Sequence, residues 1–322
     1  MSIASFRKLV QPELEAVDQL ILNRAKDKSV LASQIITYIL SNGGKRIRPL
    51  LVLLCSKACD YQGDSHISAA AIIECFHTAT LLHDDVVDNS ALRRGKQTAN
   101  TKWGTKASIL VGDFLYTLTV KLMTEVNHVK IQTLLAGIAH EVTSGELKQL
   151  SLQYSANPSL EEYLDIIRGK TALLFAASCM IGPLLVDENQ AHEEAFFQYG
   201  LHLGNAFQLV DDTLDYCSDA EVMGKNTGDD LADGKATLPL LYILKNGTEL
   251  QKKLVSSSLE TGSREHFTEI LLAIESTGAI EYTRAPANRE KDLAIQALTN
   301  IQDSPYKAAL LDLAAFSLER NY

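Results

Sequence analysis

Apolar residues recur at intervals of three and four along nearly the whole chain, as in Ile35, Ile36, Ile39 and Leu40 and again in Leu160, Tyr163, Leu164 and Ile167. That spacing gathers side chains on one face of a helix. Alternating β-branched runs joined by hairpin turns are missing, so the pattern predicts an all-α chain. Start and stop signals agree. Ser159 with Glu162 three residues on, behind Pro158, predicts a capping box, and so does Asp187 with Gln190. Asn246-Gly247 after ATLPLLYILK predicts a helix end. Residues 69–83 and 107–123 are apolar on several faces, which predicts a bundle whose central helices are wrapped by others. TALLFAASCMIGPLLV, 171–186, is the most membrane-like stretch. It is too short for a span and contains Gly182-Pro183, so a helix buried on all sides is expected. No Pro/Ser-rich linker or short repeat divides the chain, and a single domain over 1–322 is the simplest organisation.

With 322 residues, 46% of them hydrophobic, the chain has enough apolar material for a sizeable core. A net charge of -10 argues against nucleic acid or an anionic membrane surface as the general partner, because the long-range field repels polyanions. An anionic ligand must then be held by local basic groups. Five cysteines, odd in number and without CxxC spacing, read as buried free thiols in a reducing cytoplasm rather than a disulfide or zinc framework. The start, MSIASFRKLVQPELEA, has no apolar run of signal-peptide length and reads as a first amphipathic helix.

Against this apolar background two acidic clusters stand out. LLHDDVVD places Asp84, Asp85 and Asp88 together, and LVDDTLD repeats the spacing with Asp211, Asp212 and Asp215. On a helix Asp84 and Asp88 lie within about 40° of each other, and Gln208, Asp211, Asp212 and Asp215 form a stripe about 100° wide. A solvated acidic face is the ordinary explanation of one such run. Two copies of D-D-x-x-D are far beyond chance, since about 0.08 are expected in a chain of this size at average composition. Like charges about 4 Å apart repel by roughly 4 kcal/mol at an effective dielectric of 20, so such clusters need raised pKa values or bound cations. Carboxylate oxygens alone select hard cations. The D-x-D-x-D-G spacing of a calcium loop is absent, which favours magnesium held by one or two carboxylates with water and phosphate oxygens completing its shell.

Basic residues suited to the phosphates of such a ligand follow the acids. Arg93 and Arg94 come after the first cluster, Lys225 and Lys235 after the second, and GGKRIRP (Lys45, Arg46, Arg48) and Arg168-Gly169-Lys170-Thr171 add two more groups. Guanidinium forks and nearby glycines suit close, bidentate phosphate contact. Each group alone is commonly a solvated helix end, and RGKT lacks the spacing of a nucleotide P-loop. His77 lies two turns before Asp84 on the same face, a position open to a ligand role or to a satisfied core histidine.

GGKRIRP, LLHDDVVDNSALRRG, GKTA, FQLVDDTLD and GKNTGDDLADGKATLP, in that order, closely resemble the trans-isoprenyl diphosphate synthase family over roughly residues 40 to 320. Within it the chain looks most like the bacterial long-chain members of the octaprenyl diphosphate synthase type, which supply the ubiquinone side chain. The resemblance implies a helical bundle of the isoprenoid synthase type with a deep central cavity, both aspartate motifs at its mouth, and usually a homodimer. It implies that Asp84, Asp85, Asp88, Asp211, Asp212 and Asp215 bind magnesium on an allylic diphosphate such as farnesyl diphosphate. Arg93, Lys170, Thr171, Gln208, Lys225 and Lys235 would contact that diphosphate, with Lys170 and Arg93 among the catalytic groups. Lys45, Arg48, His77 and Arg94 would hold isopentenyl diphosphate. Asp229, Asp230 and Arg46 would be supporting groups of the site. Peripheral membrane contact for release of a greasy product is compatible with the same reading.

The family resemblance also bears on product length. Five and four residues before Asp84 stand Ala79 and Thr80, both small, where short-chain members carry aromatic blocks; a growing chain should pass. Met123 and Leu135 are candidates for a deeper floor, with ordinary core packing the competing reading. A farnesyl or geranylgeranyl synthase is the alternative within the family. A terpene cyclase shares the first motif but usually has a mixed Asn/Ser/Glu second motif and lacks GGKRIRP. A non-catalytic prenyl-diphosphate-binding subunit often loses one aspartate motif, and both are intact here.

Overall fold

The periodicity resolves into helices almost throughout the computed structural model, which describes residues 3–42, 44–155, 158–187, 189–217 and 228–318. In chain order these are α1 (Ile3–Lys8), α2 (Gln11–Lys26), α3 (Val30–Ser41), α4 (Ile47–Ala58), α5 (Ser65–Val87), α6 (Ala99–Trp103), α7 (Thr105–Val126), α8 (Val129–Leu152) and α9 (Leu160–Ile167). A π-helical turn, Arg168–Ala172, leads into α10 (Leu173–Leu185), α11 (Gln190–Cys217), α12 (Asp229–Ala232), α13 (Leu238–Asn246), α14 (Glu249–Thr261), α15 (Phe267–Thr277), α16 (Ala279–Ala297) and α17 (Pro305–Phe316). The Ser159–Glu162 capping box forms as expected, and α13 stops at Asn246-Gly247. The Asp187–Gln190 box does not. Asp187 takes a left-handed turn at φ 50°, and the Asn189 side chain instead accepts the His192 N–H at 3.1 Å, one residue before α11 begins.

Among the described residues one hairpin interrupts the helices, against the expectation of none. Leu92–Arg93 (β1) pairs antiparallel with Lys96–Gln97 (β2), and the two residues at its tip, Arg94 and Gly95, both have positive φ (55° and 71°), as a two-residue hairpin of the I′ kind requires. Strands of two residues show no alternation in sequence. Their consequence is local: the hairpin aims the paired arginines of RRG.

Residue contacts divide the chain into two compact units, one of Met1–Gly137, Phe175–Gly200 and Ala297–Leu313, the other of Ile138–Leu174, Leu201–Gln296 and Ala314–Tyr322. The divisions fall inside helices, which is why no linker marks them. In the first unit α5 packs on α2, α4 and α7, and α4 is buried along its length, with Leu50, Leu51, Val52, Leu53 and Leu54 wholly inaccessible. Each such leucine contributes about 2 kcal/mol by leaving water. In the second unit one core gathers Tyr216, Leu231, Leu240, Ile243, Val255, Leu259 and Ile270, and another gathers Tyr163, Ile167, Leu209, Val210, Leu214 and Leu238.

α10 is buried on nearly every side, as its composition implied. α7 departs from the wrapped helix expected over 107–123. Val111, Leu115, Leu118 and Leu122 are buried, whereas Ile109, Leu110, Tyr116 and Val120 form an exposed apolar stripe. Among the described residues it is also the one helix long and apolar enough to cross a membrane by length and composition.

Candidate active site

In the first unit the D-D-x-x-D sequence falls at the C-terminal end of α5, with Asp88 as its C-cap. That end of a helix carries a partial negative charge, so three carboxylates there call for cations. Asp85 is 4% exposed, and the fork of Arg93 grips its Oδ1 through Nε at 2.8 Å and Nη2 at 2.7 Å. The Asp85 carbonyl accepts from the Ser90 N–H and from Asn100 Nδ2, both at 3.0 Å, fixing the turn that follows. Burial pushes the Asp85 carboxyl up; Arg93 opposes the rise and Asp88 adds to it.

Beside this cluster the same unit collects positive charge. Arg48 Nη1 lies 3.0 Å from His77 Nε2. A guanidinium only donates, so Nε2 is the acceptor and the imidazole proton sits on Nδ1. Burial first, then Arg48, Arg94, Arg93 and Arg46, drive the His77 pKa well below its usual value, so the ring is neutral. The Arg48 guanidinium also lies 4.7 Å over the Phe175 ring. Gly44 leaves room for Arg94: a Cβ there would stand 2.5 Å from Arg94 Nη1. Lys45 and Arg48 flank Arg46, which is the N-cap of α4 at φ 49° and pairs with the buried Glu74. Arginines clustered around a neutral histidine make an anion site.

In the second unit α11 presents Gln208, Asp211, Asp212 and Asp215 at helical spacing. Asp212 is 4% exposed and doubly bonded: Tyr163 Oη donates to Oδ2 at 2.6 Å and Gln208 Nε2 to Oδ1 at 2.7 Å. Thr171 Oγ1 donates to Gln208 Oε1 at 2.8 Å, so GKTA and the second aspartate motif form one chain of hydrogen bonds. Burial and the charge of Asp230 push Asp212 up to about 7, against the pull of Tyr163 and Gln208. Asp215 is inaccessible and accepts the Asp230 N–H at 3.1 Å.

Lys170 lies in the π turn, a form that often marks functional sites, and reaches Glu146 at 2.8 Å; Lys235 reaches Asp233 at 2.8 Å. A cleft of about 130 Å³ is lined by Tyr163, Lys170, Thr171, Gln208, Asp212, Asp230 and Lys235. Five residues expected at the allylic diphosphate therefore share one wall. Lys225 lies outside the described residues. Ala79 is buried in α5 and Leu135 in α8; Thr80 and Met123 are half-buried, and Thr80 Oγ1 donates to the His77 carbonyl at 2.9 Å.

Tyr163, Glu74 and Glu146 escaped the motif reading. Tyr163 fell on an apolar helix face where its hydroxyl left no signal. Glu74 carried one, as a carboxylate inside the run AAAIIECF. Among the described residues no three His, Cys, Asp or Glu side chains stand close enough to hold an ion by themselves. The donors are carboxylate oxygens beside basic residues, which fits a hard divalent cation that takes one or two carboxylates and completes its shell with water and phosphate oxygens.

Comparison with known proteins points the same way. The polyprenyl synthetase family model matches residues 29–274. The octaprenyl diphosphate synthase of Escherichia coli is 40% identical over 322 residues, covering 100% of both chains. Among solved structures, a polyprenyl synthase from Caulobacter crescentus, complexed with calcium and isoprenyl diphosphate, superposes with a TM-score of 0.93 at 37% identity, covering 99% of this chain and 98% of that one. A decaprenyl diphosphate synthase from Rhodobacter capsulatus also gives 0.93, at 35% identity with 99% of each chain covered. An all-α chain with two aspartate motifs, arginine forks and a matching family model over most of its length belongs to the polyprenyl synthetase family and is a prenyltransferase.

Proposed function

We propose that the chain is a long-chain all-trans polyprenyl diphosphate synthase, most closely an octaprenyl diphosphate synthase, acting as one magnesium-dependent domain over 1–322. Its substrates are isopentenyl diphosphate and an allylic diphosphate such as farnesyl diphosphate, and its product serves the quinone side chain. A cytoplasmic location fits the free thiols. The observation that carries the reading is the cleft in which Asp212, held by Tyr163 and Gln208, stands with Lys170, Thr171 and Lys235. A carboxylate beside ammonium groups at an open cleft suits a metal-bound diphosphate.

Magnesium held by Asp84, Asp85, Asp88, Asp211, Asp212 and Asp215 would neutralise charge on the allylic diphosphate. Lys170, Lys235 and Arg93 lower the energy of the negative charge that develops on the departing diphosphate as the allylic C–O bond ionises. Lys45, Arg48 and Arg94 hold the diphosphate of isopentenyl diphosphate, and the Nδ1 proton of neutral His77 is available as a further donor. The double bond, fixed by that grip, attacks the allylic carbon, and the departing diphosphate takes the proton then lost. The buried apolar side chains of α5, Ala79 among them, keep water from the cation.

Homodimer formation is supported by the uncovered stripe Ile109, Leu110, Tyr116 and Val120 on α7, which a second copy would bury. Initial rates with isopentenyl and farnesyl diphosphates at rising magnesium test the site. Asp85→Asn and Asp212→Asn are expected to lose about 10²-fold or more in kcat. Rates within a few-fold of the parent's would remove these carboxylates from the machinery.

A further inference from the structure

α5 meets the segment Gly44–Pro49, which opens α4, at two points. Glu74 and His77, one helical turn apart, hold Arg46, the N-cap of α4, and Arg48 in its first turn. The His77–Arg48 contact belongs to the anion site already described. The Glu74–Arg46 contact does not touch a ligand group, yet it is the more deeply built of the two. Glu74 is 6% exposed, amid Ala71, Ile72, Ile73, Cys75 and Phe76, where a carboxylate needs a charged partner.

Arg46 supplies that partner and more. Its guanidinium bonds Glu74 on α5, donates to the Leu40 carbonyl on α3 at 3.3 Å and lies 3.5 Å from Asp18 on α2. Its own backbone starts α4 in the left-handed region at φ 49°, a conformation that persists in a non-glycine residue when its surroundings hold it. One side chain thus ties three helices to the first residue before a fourth. The residues on either side, Gly44 against Arg94 and Arg48 against His77, are those that shape the anion site.

We propose that Glu74 and Arg46 are positioning residues that lock the start of α4, Gly44–Pro49, and thereby set Lys45, Arg48 and Arg94 for the diphosphate of isopentenyl diphosphate. This rests on the reading of that basic group given under the proposed function. The pair acts through the start of α4 and leaves the allylic site alone, so its signature is selective.

Steady-state kinetics of the full-length protein with magnesium, varying each substrate in turn, test the pair. Glu74→Gln and Arg46→Lys are expected to raise KM for isopentenyl diphosphate about tenfold while KM for farnesyl diphosphate and kcat stay within about twofold. Arg46→Lys keeps the buried charge but not the fork that spans Glu74 and Leu40, so it carries the test should Glu74→Gln fail to fold. Arg48→Ala is the benchmark for the basic group. If it raises KM for isopentenyl diphosphate and neither pair variant that folds does, Glu74 and Arg46 are core ion-pair residues only and the inference is overturned. If Arg48→Ala itself leaves that KM unchanged, the assignment of the basic group fails and the inference falls with it. A lowered unfolding temperature with unchanged KM values also overturns it.

Discussion

His77 is neutral because burial and four arginines disfavour a second proton on its ring, and that has a consequence for stability. In the unfolded chain its pKa is about 6.5. The folded value is lower, so below pH 6.5 the unfolded chain binds a proton that the folded one refuses. The stability contributed is therefore complete above about pH 6.5 and declines as pH falls below it. Over pH 7.5 to 5 the raised carboxyls of Asp212, at about 7, and of Asp85 and Glu74 act the other way, since they take up protons in the folded chain, so the readout is a difference: in calorimetric unfolding His77→Gln should gain midpoint relative to the parent as pH falls. His66, also depressed by burial, is present in both proteins and drops out of the difference. A difference that does not change with pH would show that His77 titrates normally in the folded protein. At this scale the aspartates, Arg93 and Lys170 stood out in the sequence because charge amid apolar residues is written there directly, whereas the bonds that join the uncharged Thr171 and Gln208 to Asp212 were not. Nor did Tyr163 stand out, since a hydroxyl that completes the bonding of Asp212 lies 49 positions away in the chain.

Helix α8 and the π turn meet where neither has a side chain in the way. A Cβ at Gly145 would stand 3.0 Å from the Lys170 nitrogen and 3.2 Å from the Gly169 carbonyl carbon, so Gly145→Val must push the turn that carries Lys170 and Thr171. Overpacking of this kind costs about 1–3 kcal/mol. Thermal unfolding should register that loss, and KM for farnesyl diphosphate should rise while KM for isopentenyl diphosphate holds. Equal changes in both would mean a general loss of structure. Helices were readable because long periodic runs and the Ser159–Glu162 box act locally. The π turn was not, since RGKTA has no signature separating it from ordinary helix, and the hairpin was not, since two-residue strands have no period to detect. At α11 the cap moved from Asp187 to Asn189 because both residue types cap well and sequence does not rank them.

For the whole molecule, fold class followed from periodicity, while the two compact units did not, because their boundaries run through helices rather than linkers. Nor did the uncovered face of α7, since apolar residues all round a helix look alike whether covered by this chain or by another. Leu110→Glu on that face should turn a dimer into a monomer in sedimentation; a parent protein already monomeric at micromolar concentration would contradict the dimer. Product length is likewise a property of the assembled interior. Ala79 is 1% exposed and stands five residues before Asp84; on the reading that the growing chain passes it, Ala79→Tyr should make products several isoprene units shorter. Unchanged length would place the growing chain elsewhere. Whether this protein uses magnesium to build a long polyprenyl chain is decided by chromatography of the products that the purified protein makes from isopentenyl and farnesyl diphosphates. Octaprenyl diphosphate is expected as the main product, with none after chelation; chains ending at three or four isoprene units, or undiminished synthesis without metal, would rule out a long-chain, metal-dependent synthase.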